Sequence, residues 1–207
     1  MRSDRARLLA LGGGVGPAAF IVAWIVAGAW TAGYSPIDDA ISRLAAVGAP
    51  HRVLMTAGLV CFAVALPVYA AALRCRLPGP AWAAATTTGV ATLGVALFPL
   101  GMSSRLDGVH NAMAAAGYLS LVAVPLLAAP HLVRSHRSAA IASLVVAAGG
   151  GVCLAATLLG PVHGLTQRVG LTLVDLWLIT SALVMAGTPL PSQPPSPGPQ
   201  AQRSARS

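Results

Sequence analysis

YSPIDDAISRLAAVGAPHR, Tyr34 to Arg52, is the one long polar interruption in the first half of a strongly apolar chain. It carries Asp38 and Asp39, two of only five acidic residues among 207. Ser35 suits an N-cap, Pro36 the first helical position and Asp38 the acidic first turn. Ile37, Ile41 and Leu44 recur at i, i+4, i+7, so the stretch predicts a short amphipathic helix over about 36–46, ended by Gly48 and Pro50. Asp39 and Arg43 stand at the i, i+4 spacing of a helical ion pair. The loop is therefore expected to lie across the mouth of whatever the flanking apolar blocks build.

Composition says what those blocks are. The chain is 56% hydrophobic and 9% charged, with a mean hydropathy of +0.75. Soluble domains are about a quarter charged, so there is too little polar surface here to coat a water-soluble globule. All 13 basic residues are arginine, and the net charge of +8 raises the question of nucleic acid. The arginines are scattered between apolar blocks and form no stripe, which argues against that partner. Cys61, Cys75 and Cys153 lie in apolar spans or one short loop and give no disulfide framework.

Six apolar blocks, at about 8–30, 53–73, 81–101, 111–131, 138–160 and 168–187, each approach the ~20 residues needed to cross ~30 Å of hydrocarbon. Backbone polar groups in lipid must be satisfied internally, so the blocks are helices. The expected fold is all-α: a six-helix polytopic membrane bundle over 1–187, with a disordered proline-rich cytoplasmic tail over 188–207. The first block follows Arg2, Arg5 and Arg7 and contains Ala27-Gly28-Ala29, a small-x-small pattern. Its apolar run exceeds the 7–15 residues of a signal peptide, so it is kept as a span. Gly12 and Gly16, and Ala147 and Gly151, stand four apart and predict close helix packing. The positive-inside rule sets the orientation. Arg2, Arg5, Arg7, Arg74, Arg76, Arg134, Arg137, Arg203 and Arg206 fall on one side, and Arg43, Arg52, Arg105 and Arg168 on the other. Both termini are expected in the cytoplasm of a cell-membrane protein.

The three loops on the opposite side collect the chemistry. The first holds Asp38, Asp39, Ser42, Arg43 and His51; the second, SSRLDGVHN, holds Arg105, Asp107 and His110; the third, HGLTQR, holds His163 and Arg168. Asp175 sits about seven residues into the sixth expected helix, roughly 10 Å below that surface. Intramembrane acids are functional candidates by default, and Asp175 is expected to face the bundle interior.

Tyr34-Ser35-Pro36-Ile37 with Asp39, Ile41, Ser42 and Leu44, then Gly48-Ala49-Pro50-His51, resembles a family of bacterial and archaeal membrane proteins, domain-of-unknown-function family 998. Phe98-Pro99, His110-Asn111 and Gly164-Leu165-Thr166-Gln167-Arg168 are similar to its later motifs. The resemblance runs from the first helix to the sixth and implies a six-helix integral membrane domain, with no activity attached.

Three functions stay open on the residues alone. Arg43, Arg52, Arg105 and Arg168 suit a small anion or an anionic lipid head group, which arginine can clamp bidentately. His51, His110 and His163 suit a zinc-dependent hydrolase, three imidazoles leaving one water position. Their separation over three loops fits no ligand-spacing motif. A structural or interaction module is the third reading, with aspartates and arginines pairing and capping helix ends. Beyond the lipid bilayer itself, no partner or cofactor follows from the sequence.

Overall fold

The computed structural model describes residues 2–134, 136–160 and 162–188, and all regular structure among them is helical. The helices are α1 (Arg2–Ala10), α2 (Gly12–Trp30), α3 (Arg52–Arg76), α4 (Ala81–Leu97), α5 (Ser104–Leu132), α6 (Arg137–Leu159) and α7 (His163–Gly187). α1 and α2 are nearly continuous, forming a single apolar span, Asp4–Trp30. With α3, α5, α6 and α7 it gives five helices long and apolar enough to cross a membrane. α4 has 17 residues, or about 26 Å at 1.5 Å per residue, at the lower limit for a crossing. The chain is a multi-pass membrane protein. The proline-rich stretch from 189 onward lies outside the described residues.

Each helix packs on the next in sequence from α2 to α7, and α7 returns to α2. The six spans thus close a ring, with α1 wedged against α3 and α7. Short connections between sequential neighbours make this the simplest route for the chain. The interior is built from Phe20, Met55, Leu59, Phe62, Leu66, Leu121, Val174 and Leu178, all buried. Val64, Val90, Leu119, Val145, Val152, Leu158 and Leu183 are exposed on the outside, where lipid replaces water.

Gly12 and Gly16 do what their spacing predicts, while on α6 the close approach falls at Gly150 rather than at Gly151, where an added Cβ would meet only Val122 at 3.6 Å. A Cβ on Gly12 would lie 2.5 Å from the Ala65 carbonyl oxygen, and one on Gly16 would lie 2.8 Å from the Ala65 Cβ. α2 and α3 therefore touch backbone to backbone. Gly150 meets α7 likewise: an added Cβ would fall 2.9 Å from a methyl of Val174. The Gly149–Gly151 run is continuous helix, and its role is close approach.

Two helices begin earlier than the apolar blocks. α5 starts at Ser104, where Ser103 caps it by accepting the Leu106 N–H, with Asp107 in the first turn. α7 starts at His163. His110, His163 and Arg168 are therefore helical residues, not loop residues. Hydropathy marks the part of a helix inside hydrocarbon, while the helix itself continues through polar turns above it. Asp175 consequently lies about 18 Å along α7 from its first residue, near the middle of the helix.

The helix expected over 36–46 shrinks to a five-residue 3₁₀ helix, Ile41–Ala45. Ala40 before it is extended, with φ −64° and ψ 147°. Ile41 and Leu44 are buried as their spacing predicts, but Ile37 is exposed. The reason is competition for the backbone: the carbonyls that would carry the helix are taken by α7.

Candidate functional site

The loop is clasped by the first turns of α7. The Arg168 guanidinium is buried and its Nη1 donates to the carbonyl oxygens of Pro36 (2.8 Å), Asp39 (2.9 Å) and Gly164 (2.8 Å). Its Nη2 donates to the Tyr34 hydroxyl. The guanidinium also faces the rings of Trp24 and Tyr34, with centroids at 5.4 and 5.3 Å. A helix through 36–46 would turn the Pro36 and Asp39 carbonyls along its own axis into i→i+4 bonds, whereas here both point at Arg168, which holds the loop in its extended path. Gln167 adds its Oε1 as acceptor for the Ile41 N–H (2.8 Å), and the Leu165 N–H donates to the Ile37 carbonyl (2.9 Å). Gly164 leaves room for all this, since a Cβ there would lie 2.5 Å from the Asp39 oxygen. The run Gly164–Arg168 is thus a receptor for the loop.

Within the loop the expected capping forms as a closed turn. The Asp38 N–H donates to Ser35 Oγ, which donates to Asp38 Oδ2 at 2.6 Å. Asp39 accepts the Ser35 N–H and pairs with Arg43 at the expected i, i+4 spacing. Burial pushes the Tyr34 phenol above its ordinary value near 10, against the opposing pull of the Arg168 guanidinium.

Beneath the clasp lie two spaces. An inner cavity of about 70 Å³ is lined by residues from five of the spans and the 3₁₀ helix, including Phe20, Phe62, Thr88, His110, Tyr118 and Asp175. A groove of about 600 Å³ opens between α5 and α6, with Ser42, His110, Asn111 and Gln167 at its loop end and mainly apolar side chains below. Ser42, His110, Ala114, Tyr118 and Gln167 line both, so one layer of side chains divides them. Gln167 Nε2 donates to the Tyr118 hydroxyl across that layer.

Asp175 faces inward as expected, 1% exposed. Both its carboxyl oxygens are buried without a hydrogen-bond partner among the described residues. His110 is buried, and its Nδ1 donates to the Phe98 carbonyl at 2.8 Å. A carbonyl only accepts, so in the neutral ring Nε2 is an acceptor, and it has no protein partner.

The three histidines proposed for zinc do not converge. His51 stacks edge-on against Trp30 and meets its carbonyl oxygen, His163 is spent on the Thr157 carbonyl, and His110 lies in the interior. Among the described residues no group of three His, Cys, Asp or Glu side chains can hold a metal ion. The physical cause is that each ring is anchored to a different helix end by a backbone carbonyl. Asp107 accepts the Gly101 N–H, tightening the turn before α5, and forms no pair with Arg105 or Arg168. Arg52 and Arg105 are exposed. Of the four arginines, Arg168 and Arg43 have donors engaged inside the protein.

Sequence reasoning missed Thr88 and Tyr118 because they are uncharged residues inside apolar spans, Thr88 closing the run Thr86-Thr87-Thr88. Thr88 Oγ1 donates to the Ala84 carbonyl and Ser120 Oγ, joining α4 to α5. The signal that could have found them is a polar side chain at membrane depth, the criterion that found Asp175. On the opposite face, Arg7 and Arg76 donate to the Ala186 and Thr188 carbonyls, closing the C-terminal end of α7.

No curated protein and no solved structure matches the chain. The family described as "Protein of unknown function (DUF998)" matches residues 15–184, from α2 to the last turn of α7, and covers both the clasped loop and the Gly164–Arg168 run. The chain belongs to that family.

Proposed function

We propose that the protein binds an amphiphilic lipid from one leaflet of the bilayer, with the acyl chain in the α5–α6 groove and the polar head under the clasped loop. The observation that carries this reading is the shape and polarity of the groove. It is apolar from Ala114 to Val122 on α5 and from Gly151 to Leu158 on α6, broken only by Tyr118 and Thr157, and ends in Ser42, His110, Asn111 and Gln167. The α5 wall from Asn111 to Val122 runs about 16 Å, close to half of a ~30 Å hydrocarbon core, which is one leaflet. Leu119 and Leu158 are strongly exposed beside it, as expected of an opening toward lipid. A volume of about 600 Å³ falls in the range of small-molecule sites.

On the distribution of arginines the termini lie in the cytoplasm of a cell-membrane protein, and the groove opens to the outer leaflet. No arginine lines the groove. The anionic contact expected of Arg52 and Arg105 then falls to surrounding head groups, because both are exposed at the loop end. Lipid mass spectrometry on protein purified in mild detergent tests the reading. Tryptophan at Ala115 or Ala155 fills the groove and is expected to abolish co-purification of lipid while melting is preserved. Equal lipid retention in both variants, or none in the parent protein, contradicts the reading.

A further inference from the structure

We infer that the inner cavity receives a primary ammonium group, with Asp175 as its counter-ion. The inference deepens the lipid-binding reading above and rests on it for the route of access. Its footing is the chemistry of the cavity wall. Both oxygens of Asp175 are buried and unpartnered, and the residue lines the cavity. His110, which lines both this cavity and the groove, has Nδ1 committed to the Phe98 carbonyl, which leaves Nε2 as the acceptor of the neutral ring. Thr88 has its proton directed to Ala84 and Ser120, leaving oxygen lone pairs only. The cavity wall therefore carries an unpaired acid and no cation: Arg168, the one buried arginine among the described residues, is spent on the loop and does not line it. A group with several donors and a positive charge meets the unmet needs of the wall.

The remaining walls agree. Phe20 and Phe62 pack with ring centroids 5.5 Å apart, and with Tyr118 they line the cavity. Aromatic faces attract cations most strongly where water is excluded. The volume of about 70 Å³ holds several waters at ~10–15 Å³ each, room enough for an ammonium and its adjoining methylene. Gln167 and Tyr118, joined by a hydrogen bond, line both this cavity and the groove, so the route between the two runs past that pair.

An aminolipid head group and a free alkylamine carry the same chemistry. The test separates them using full-length protein in phosphatidylcholine nanodiscs. A hydrophobic carbodiimide labels buried carboxyls, and the adduct at Asp175 is read by mass spectrometry with nanodiscs doped with phosphatidylethanolamine, doped with phosphatidylglycerol, or supplied with free butylamine. Protection by phosphatidylethanolamine and not by phosphatidylglycerol is expected, with phosphatidylethanolamine affinity falling at least tenfold in Asp175→Asn. Phe62→Leu, which keeps the carboxylate, is expected to weaken protection several-fold and serves if Asp175→Asn folds poorly. Protection by butylamine alone keeps the ammonium site and overturns the lipid route. Lipid binding that ignores head group and Asp175 keeps the groove and overturns the ammonium site. No protection by either amine overturns the inference.

Discussion

Replacing Arg168 by methionine removes the guanidinium that holds the Tyr34–Ala45 loop while keeping much of the buried volume. Nη1 carries two N–H groups but faces three carbonyl oxygens, so at least one N–H is shared. Counting two full bonds from Nη1 and one from Nη2, at about 1.5 kcal/mol each for bonds from a charged donor, gives about 4 to 5 kcal/mol. Water reaching the freed carbonyls at the membrane surface recovers part of that, leaving about 3 kcal/mol of lost loop stability, or roughly a hundredfold in the opening equilibrium. The assay is hydrogen exchange in nanodiscs. The Ile41 and Leu165 amides, which bond across the clasp, are expected to exchange about a hundredfold faster in Arg168→Met. Arg168→Lys keeps the charge but loses the fork and falls between. Amides in the middle of α3, remote from the clasp, serve as the control and stay unchanged. Exchange at Ile41 and Leu165 within threefold of the parent protein would refute the clasp.

The Tyr34 phenol is raised by burial, so the clasped loop favours its protonated form; the clasp is complete below the ordinary value near 10 and is lost as pH rises through the higher folded value. Exchange of the same amides, taken relative to the base-catalysed rate of an unprotected amide, should accelerate in that window, and Tyr34→Phe should remove that extra acceleration. Gly12→Ala drives a Cβ to 2.5 Å from the Ala65 oxygen, whereas Gly14 has nothing within 4 Å. Thermal melting in detergent is expected to fall for the first, by the ~1–3 kcal/mol of overpacking, and to hold or rise for the second. Asp175→Asn removes a buried acid whose oxygens have no partner, so the ligand-free variant is expected to melt at or above the parent; a clear loss of stability would show that the carboxylate has a structural partner.

Class and topology were legible because hydropathy at ~20-residue length admits few alternatives in lipid. The Gly12–Gly16 contact and the Asp39–Arg43 pair followed from spacing alone, since both are local. The loop helix was not legible. Its capping and ion pair were read correctly as local preferences, and two of the three stripe residues are buried, yet Arg168, more than 120 residues away, holds the carbonyls of Pro36 and Asp39. Local spacing carries no information about a tertiary competitor. The histidines show the same limit: each was expected in a loop of one shared face, but Trp30, Phe98 and Thr157 carbonyls anchor each ring separately. Asp175 was legible from depth alone, because few sequence positions combine a carboxylate with a membrane span. Its neighbours Thr88 and Tyr118 carry no charge, so nothing in their local sequence separates them from packing residues.

The central claim is that the α5–α6 groove is a lipid site rather than a seam between helices. Photocrosslinking with a lipid bearing a diazirine in its acyl chain tests it directly. The account predicts crosslinks concentrated on Ala115, Leu119, Ala155 and Leu158, displaced by unlabelled lipid and lost in Ala155→Trp. Crosslinks spread evenly over other lipid-facing residues, such as Val22, Val64 and Leu183, and indifferent to competitor would contradict it.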